Sequence, residues 1–331
     1  MIIKKISLVN FRCHEEYILE CKKKTSLIVG ENGSGKTSVL EAIYLAMRGK
    51  SFRAVDSEIL RRGAEFYRVE LDYENGENTV VTYDGVVKKF IVSDKKSARL
   101  PKKYRYPVVL FIPDDLHLIK SSPTSRREYF DRILSQLDDV YSSSLSRYNK
   151  ALKQRNEALK MELVAPEMLF SWNMMLAKYG CEIRKKRMAL IAEINRRLTE
   201  VYRTIADNND EVEINLCTDG ENNETEYLAT LERNFQRDMI IGHTSFGVHR
   251  DNYDFIFNHK KAEGSASRGE VRSVILALKF IEAEMILGKT GKKPVVLLDD
   301  VFSELDDVRQ KCLVKNFRDN QVIITSTNDV K

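Results

Sequence analysis

The sequence has little of what marks a secreted, metal-stapled or membrane-spanning chain. Its 331 residues include five cysteines, Cys13, Cys21, Cys181, Cys217 and Cys312, an odd number at wide spacing. No C-x-x-C pair occurs, and the five histidines form no ligand cluster with them. That pattern supports neither a disulfide framework nor a zinc site. No stretch approaches the roughly 18 apolar residues that a spanning helix needs. The opening Met1-Ile2-Ile3-Lys4-Lys5-Ile6 is not a basic head followed by an apolar signal core. A cytoplasmic protein with reduced thiols and no membrane partner is the expectation. Excess charge is scarce too: 54 Lys+Arg stand against 49 Asp+Glu, a net of +5. So small an excess does not by itself announce a nucleic-acid binder.

What is present is ordinary core material, 43% hydrophobic and 31% charged residues, which excludes a wholly disordered chain. At roughly 150 residues per domain the length allows about two domains. Ile2 to Phe11 reads as a strand, and Thr25 to Val29 as a short apolar run before a glycine-rich turn. Thr37 to Met47 has helical spacing at Leu40, Ile43, Tyr44 and Met47. Tyr67–Tyr73, Thr79–Tyr83 and Val86–Val92 alternate around Asn75-Gly76 and Asp84-Gly85, as an antiparallel meander does. From Leu134 apolar residues recur in steps of three and four to Leu159, and after Pro166 again from Leu169 to Ile205. Two long helices in a hairpin are predicted. Alternating elements then return: strands at Val212–Cys217 and Tyr253–Phe257, and helices at Glu224–Met239 and Glu270–Leu287. Val295–Leu298 and Val322–Thr325 read as parallel strands buried on both faces.

Gly30-Glu31-Asn32-Gly33-Ser34-Gly35-Lys36-Thr37 fits G-x-x-x-x-G-K-[ST] between a predicted strand and a predicted helix, the setting that a phosphate-binding loop needs. Its glycines let backbone N–H groups converge on phosphate oxygens, and the helix start adds partial positive charge. These eight residues are the candidate ATP cradle. Lys36 should reach the β- and γ-phosphates, and the Thr37 hydroxyl should help hold Mg²⁺. The strand Val295–Leu298 ends in Asp299-Asp300, at the carboxyl edge where α/β sheets place ligands. Asp299 should bind Mg²⁺ or orient a group that does, and Asp300 should polarise the attacking water. Ser267-Arg268-Gly269-Glu270 opens a helix, and by itself reads as a capping box.

A P-loop, a helical insertion, S-x-G-[QE] and a strand ending in two acids resemble the ATP-binding-cassette ATPases of the SMC group. The nearer resemblance is to the RecF family of recombination mediators. It is carried by Leu8-Val9-Asn10-Phe11-Arg12, the P-loop with Leu40-Glu41-Ala42-Ile43, and Ser51-Phe52-Arg53. Phe111-Ile112-Pro113-Asp114-Asp115-Leu116, Ser122-Pro123 with Arg126-Arg127, and Gly247-Val248-His249-Arg250-Asp251 continue it, and Leu298-Asp299-Asp300-Val301-Phe302-Ser303-Glu304-Leu305-Asp306 completes it. The resemblance implies an α/β fold: an ABC-type P-loop head, of mixed sheet with an antiparallel β lobe, formed by residues 1–137 and 208–331. A helical-hairpin arm would occupy residues 138–207. It implies a composite site in which Ser267 and Gly269 reach the γ-phosphate held by another copy, so that ATP clamps a homodimer and slow hydrolysis releases it. Ser303–Asp306 would communicate between the two sites. Arg12 would lie near the adenine or the α-phosphate. The implied work is replication, recombinational repair and the SOS response, on duplex or gapped DNA and its single-strand junctions, with RecR and RecO as partners. Three departures stand out: Glu270 replaces a common glutamine, no glutamine lies near Phe111–Asp115, and Thr325-Ser326-Thr327 replaces a switch histidine.

The charge is uneven. Residues 145–206 hold 13 Lys+Arg and 6 acids, a local +7, leaving the remainder at −2. A basic helix face is either merely solvated or a site for phosphate backbones. On the second reading Arg184, Lys185, Lys186 and Arg187 are the candidate DNA contacts. An SMC-like tether would need a longer arm, and a transporter cassette has no use for a helical hairpin between its halves.

Overall fold

The computed structural model describes residues 2–21, 24–161, 164–220 and 222–327. Strands β1 (Ile3–Phe11), β2 (His14–Glu20) and β3 (Thr25–Val29) lead into helix α1 (Lys36–Arg48) and a single turn, α2 (Asp56–Ile59). Strands β4 (Tyr67–Tyr73), β5 (Asn78–Tyr83), β6 (Lys88–Val92), β7 (Lys95–Ser97) and β8 (Val108–Phe111) follow. Helices α3 (Pro123–Leu137), α4 (Asp139–Ala158) and α5 (Pro166–Ala206) precede β9 (Val212–Cys217), α6 (Glu224–Arg233) and α7 (Phe235–Ile241). Then come β10 (Asn252–Phe257), β11 (Lys260–Lys261), α8 (Ala262–Ser265), α9 (Arg268–Thr290), β12 (Val295–Asp299), α10 (Asp307–Phe317) and β13 (Val322–Ser326). The chain divides into two compact units, Met1–Asp114 with Glu282–Lys331, and Asp115–Ile281.

In the first unit β3, β13, β12 and β8 lie side by side in that order, all parallel. Every residue of β8, β12 and β13 is buried, which is why these runs are leucine and β-branched without alternation. The second sheet, β2-β1-β4-β5-β6-β7, is antiparallel throughout. Its strand β4 buries Tyr67, Val69, Leu71 and Tyr73 on one face and leaves the residues between them half-exposed. Helix α1 packs against both sheets, and 11 of its 13 residues are buried, so it is covered nearly all round. Gly76 and Gly85 turn between strands at φ near +81° and +85°, the left-handed region that the Asn-Gly and Asp-Gly pairs favour. Strand β2 went unread in the sequence because its inward residues are only half-buried and its exposed ones are three glutamates and Ile18, which leaves no clean alternation.

In the second unit α4 and α5 pack along each other as a helical hairpin, with Pro166 at the first turn of α5. Asp138 caps α4 by accepting from the N–H groups of Val140 and Tyr141. Strands β11, β10 and β9 form a small antiparallel sheet. The free edge of β9 is covered by α5: Asn195 exchanges two hydrogen bonds with Ile214, and Thr199 exchanges two with Val212. This is one way that an edge strand is kept from pairing elsewhere. The helix expected over 224–239 is in fact two, broken at Asn234; the second carries Asp238 to the Arg155 guanidinium. Among the described residues no helix is long and apolar enough to cross a membrane.

Candidate functional site

The loop after β3 turns sharply into α1. At Gly30 an added Cβ would stand 2.6 Å from the Ser34 hydroxyl. At Gly35, with φ +92°, it would lie 2.4 Å from both Cys13 and His14, so no other residue fits there. Gly35 caps α1 without any side-chain bond, and no acid occupies the first turn. The backbone N–H groups at this positive helix end are therefore left uncapped by any side chain of the loop or first turn. Lys36 is 6% exposed; its ammonium donates to the carbonyls of Gly30, at 2.8 Å, and Glu31, at 3.0 Å.

The two acids at the end of β12 are brought to this loop. The Thr37 hydroxyl donates to Asp299 Oδ1 at 2.8 Å, and Asp300 Oδ2 stands 3.8 Å from the Lys36 ammonium. Burial pushes the Asp299 carboxyl up, and hydrogen bonds from Thr37 and Thr325 work against that. Asp300 adopts a left-handed backbone, φ +49°, and its Oδ1 is buried without a hydrogen-bond partner. A non-glycine residue held there is strained, and such strain gathers at functional positions.

Thr325, fully buried in β13 opposite Asp299, ties the pair together. Its hydroxyl lies 2.9 Å from Asp299 Oδ1 and accepts from the Asp300 N–H, also at 2.9 Å. In sequence this residue looked only like part of a missing histidine. No local signal reveals its role, because that depends on which strands are neighbours.

A cavity of about 460 Å³ opens on the loop, lined by Arg12, Gly33, Lys36, Arg53, Arg62 and Asp300 among others. Arg12 and Arg53 are both anchored on Glu41, which is fully buried in α1. Arg12 gives it two hydrogen bonds of 2.9 Å, Arg53 one of 3.0 Å, and Ser51 a third partner at 2.6 Å. Burial alone would raise the Glu41 carboxyl, but the bonds from Arg12 and Ser51 and the charges of Arg53 and Arg12 hold it below the usual carboxylate range. Arg53, Arg62 and Glu41 belong to the site's surroundings; Glu41 and Arg53 stand in stretches that carry the family resemblance but had no role assigned, and Arg62 had no signal in the sequence. A hydroxyl and a carboxylate oxygen within 2.8 Å are hard donors of the kind that Mg²⁺ takes, so Thr37 and Asp299 fit the ion expected there.

The remaining candidates lie in the second unit. Ser267 and Glu270 form the reciprocal capping box at the start of α9: the Ser267 N–H donates to Glu270 at 2.6 Å and its hydroxyl accepts from the Glu270 N–H at 3.3 Å. Ser267 is exposed and Gly269 half-exposed. His249 is satisfied on both nitrogens, by the Tyr148 hydroxyl at 2.8 Å and the Thr244 carbonyl at 3.0 Å. Burial lowers its pKa to about 4, so it is neutral near pH 7.

The structure corrects the basic run of α5. Arg184 and Arg187 are only 1% and 2% exposed. Arg187 binds Asp131 at 2.9 Å, Asp251 at 3.0 Å and the Val248 carbonyl at 2.7 Å, while Arg184 meets Asp251 at 3.3 Å. Their heads are turned inward to neutralise buried acids and are not free to meet phosphates. Of the four, Lys185 is exposed, and Lys186 is half-exposed and bonded to Asp138 at 2.6 Å. Arg155, another of the arm's cations, is likewise fully buried against Asp238.

The family model described as AAA ATPase domain matches residues 1–263. The chain is 34% identical to the DNA replication and repair protein RecF of Ruminiclostridium cellulolyticum, over 99% of this chain and 93% of that one. It is also 34% identical to the RecF of Staphylococcus carnosus, over 99% and 94%. Among solved structures, the recombination mediator RecF with ATP, described as acting in the RecFOR pathway, superposes with a TM-score of 0.87 at 30% identity, covering 100% of this chain and 93% of that one. An Smc head bound to the winged-helix domain of ScpA superposes at 0.50 and 17% identity, a likeness of fold alone.

Proposed function

The chain belongs to the RecF family and carries its AAA ATPase domain, and from that premise we propose that it is an ATP-hydrolysing recombination mediator which closes as two copies on DNA. The observation that carries the nucleotide part is the Thr37–Asp299 hydrogen bond, which joins a P-loop hydroxyl to an acid 262 residues away beside the Lys36 ammonium. The RecF–ATP structure supports it.

On this reading the P-loop N–H groups and the uncapped start of α1 hold the β- and γ-phosphates, and Lys36 turns from its loop carbonyls to bond them. Thr37 and Asp299 hold Mg²⁺, which when bound supplies positive charge to the phosphate oxygens. Asp300 is the general base. Its carboxylate, which reaches the cavity, accepts a hydrogen bond from a water and takes its proton as the water oxygen bonds to the γ-phosphorus. The bond from that phosphorus to the β-bridging oxygen breaks, and ADP leaves with the electron pair. Thr325 is a positioning residue: it holds Asp299 by one bond and the Asp300 backbone by another. Glu41 is a second, keeping Arg12 against the cavity. Ser267, with its hydroxyl proton not used in its capping bond, and Gly269 serve the γ-phosphate of the other copy.

For DNA, the exposed cations of α5, Lys178, Lys185 and Arg196, replace the buried arginines as phosphate contacts. RecR and RecO are proposed partners, supported by the pathway in which the RecF–ATP structure is described.

One set of variants tests the nucleotide site. Lys36→Ala should weaken ATP binding roughly tenfold or more, since it removes a charge-assisted bond to the phosphates. Asp300→Asn should keep ATP affinity within about threefold and slow hydrolysis by a factor of at least ~100. Thr325→Val should lower kcat by about tenfold with KM unchanged, and Thr325→Ser should restore it. Wild-type turnover in Asp300→Asn would remove the base, and wild-type ATP affinity in Lys36→Ala would remove the site.

A further inference from the structure

The first unit has another concavity, of about 540 Å³, where the parallel strands begin. Lys24 precedes β3, Tyr106 precedes β8, Lys293 precedes β12 and Gln321 precedes β13, and all four line it. It lies at the amino edge of the sheet whose carboxyl edge carries the P-loop, and the two cavities share no lining residue.

Five cations line it, Lys24, Lys103, Arg105, Lys292 and Lys293, against one carboxylate, that of Asp319. That carboxylate is already shared, 3.9 Å from Lys293 and 4.0 Å from Arg318. Two of the ammonium groups rest against rings: Lys103 is 4.5 Å from the Tyr104 centroid and Lys292 is 5.7 Å from that of Tyr106. Cation–π contacts at exposed sites are worth only ~0.5–1 kcal/mol, so a phosphate can draw these ammonium groups away. Like charges gathered in a concavity focus positive potential. The volume lies within the roughly 300–1,000 Å³ of small-molecule sites and exceeds what a single phosphate would fill.

We propose that this cavity is a second phosphate-ester site, taking linked phosphates either from a free nucleotide or from a nucleic-acid strand. Lysine ammonium groups suit such a ligand because each can swing to a different oxygen of a phosphate chain.

The probes are inorganic tripolyphosphate and a labelled single strand of about 15 nucleotides. Both are titrated against the full chain carrying Lys36→Ala, which weakens phosphate binding at the P-loop, with and without Lys103→Glu/Lys292→Glu. Charge reversal should weaken tripolyphosphate binding tenfold or more. If strand binding weakens as well and its salt slope falls by about 1.4, as two lost phosphate contacts require, a nucleic-acid strand is the source. If only tripolyphosphate binding changes, a free nucleotide is. Unchanged binding of both probes overturns the proposal. ATP binding by the double variant with Lys36 intact should stay within twofold, showing that the fold is kept; were it lost, Lys103→Gln/Lys292→Gln decides the question by the same readings.

Discussion

Lys36 in the P-loop and the Arg184–Arg187 pair of α5 are basic groups equally removed from water, and they differ in what meets them. Lys36 has two carbonyls of its own loop and, at 3.8 Å, an aspartate whose other oxygen has no partner. Arg187 has two carboxylates, a carbonyl and the Tyr141 hydroxyl. The helix starts repeat the contrast: α1 has no side-chain cap, whereas α4 is capped by Asp138. Burial therefore does not separate charge that holds the fold from charge that serves a ligand. Saturation does. A buried cation filled by acids is structural, and a buried cation left with weak acceptors beside an unfilled carboxylate is available for phosphate.

The contrast can be broken most sharply by removing one charge from each region. Arg187→Met leaves Asp131 and Asp251 without their shared cation, which should cost about 3–5 kcal/mol. Trp172, the one tryptophan and a residue of α5, reports that loss in a urea titration. Lys36→Ala should shift stability by no more than about 1 kcal/mol. Equal losses in the two variants would erase the distinction.

A smaller effect comes from His249. Its pKa falls from 6.5 to about 4 on folding, chiefly through burial, with Arg250 and Arg127 lowering it further and Asp238 opposing them. The unfolded chain thus binds a proton that the folded one does not between pH 6.5 and 4. The stability that His249 contributes is complete above pH 6.5 and is lost as pH falls toward 4, up to about 3 kcal/mol. In His249→Gln the unfolding midpoint, followed at Trp172, should depend less steeply on pH across that window. A slope equal to wild type would contradict the assignment.

The smallest effect separates sequence neighbours. Lys178→Gln/Lys185→Gln/Arg196→Gln should weaken duplex DNA binding about threefold to tenfold and reduce its salt slope by about 2.7. Full DNA affinity in that variant would show that the exposed face of the arm is only solvated.

The P-loop, its helix and the acid-ending strand were legible because each is a local pattern with fixed spacing. The α4 and α5 seam was legible because a step of three and four persists over many turns, but the run read from Leu134 crosses the break at Asp138 that ends α3 and starts α4. Other features depend on partners distant in sequence. Arg187 reads as part of a basic run until Asp131 and Asp251, 56 and 64 residues away, fold onto it. Thr325 acquires its place only from the parallel register that sets it opposite Asp299. Strand β2 was hidden because exposed Ile18 among its glutamates breaks the alternation, and the break at Asn234 by apolar spacing that runs through it.

The central claim, that ATP on this P-loop joins two copies, is tested most directly by sedimentation velocity with and without ATP and Mg²⁺. Wild type should pass from one chain to two when ATP is added, and Asp300→Asn should remain paired for longer. Ser267→Arg should bind ATP and stay single. A wild-type dimer without ATP, no dimer with it, or an undiminished dimer in Ser267→Arg would contradict the account.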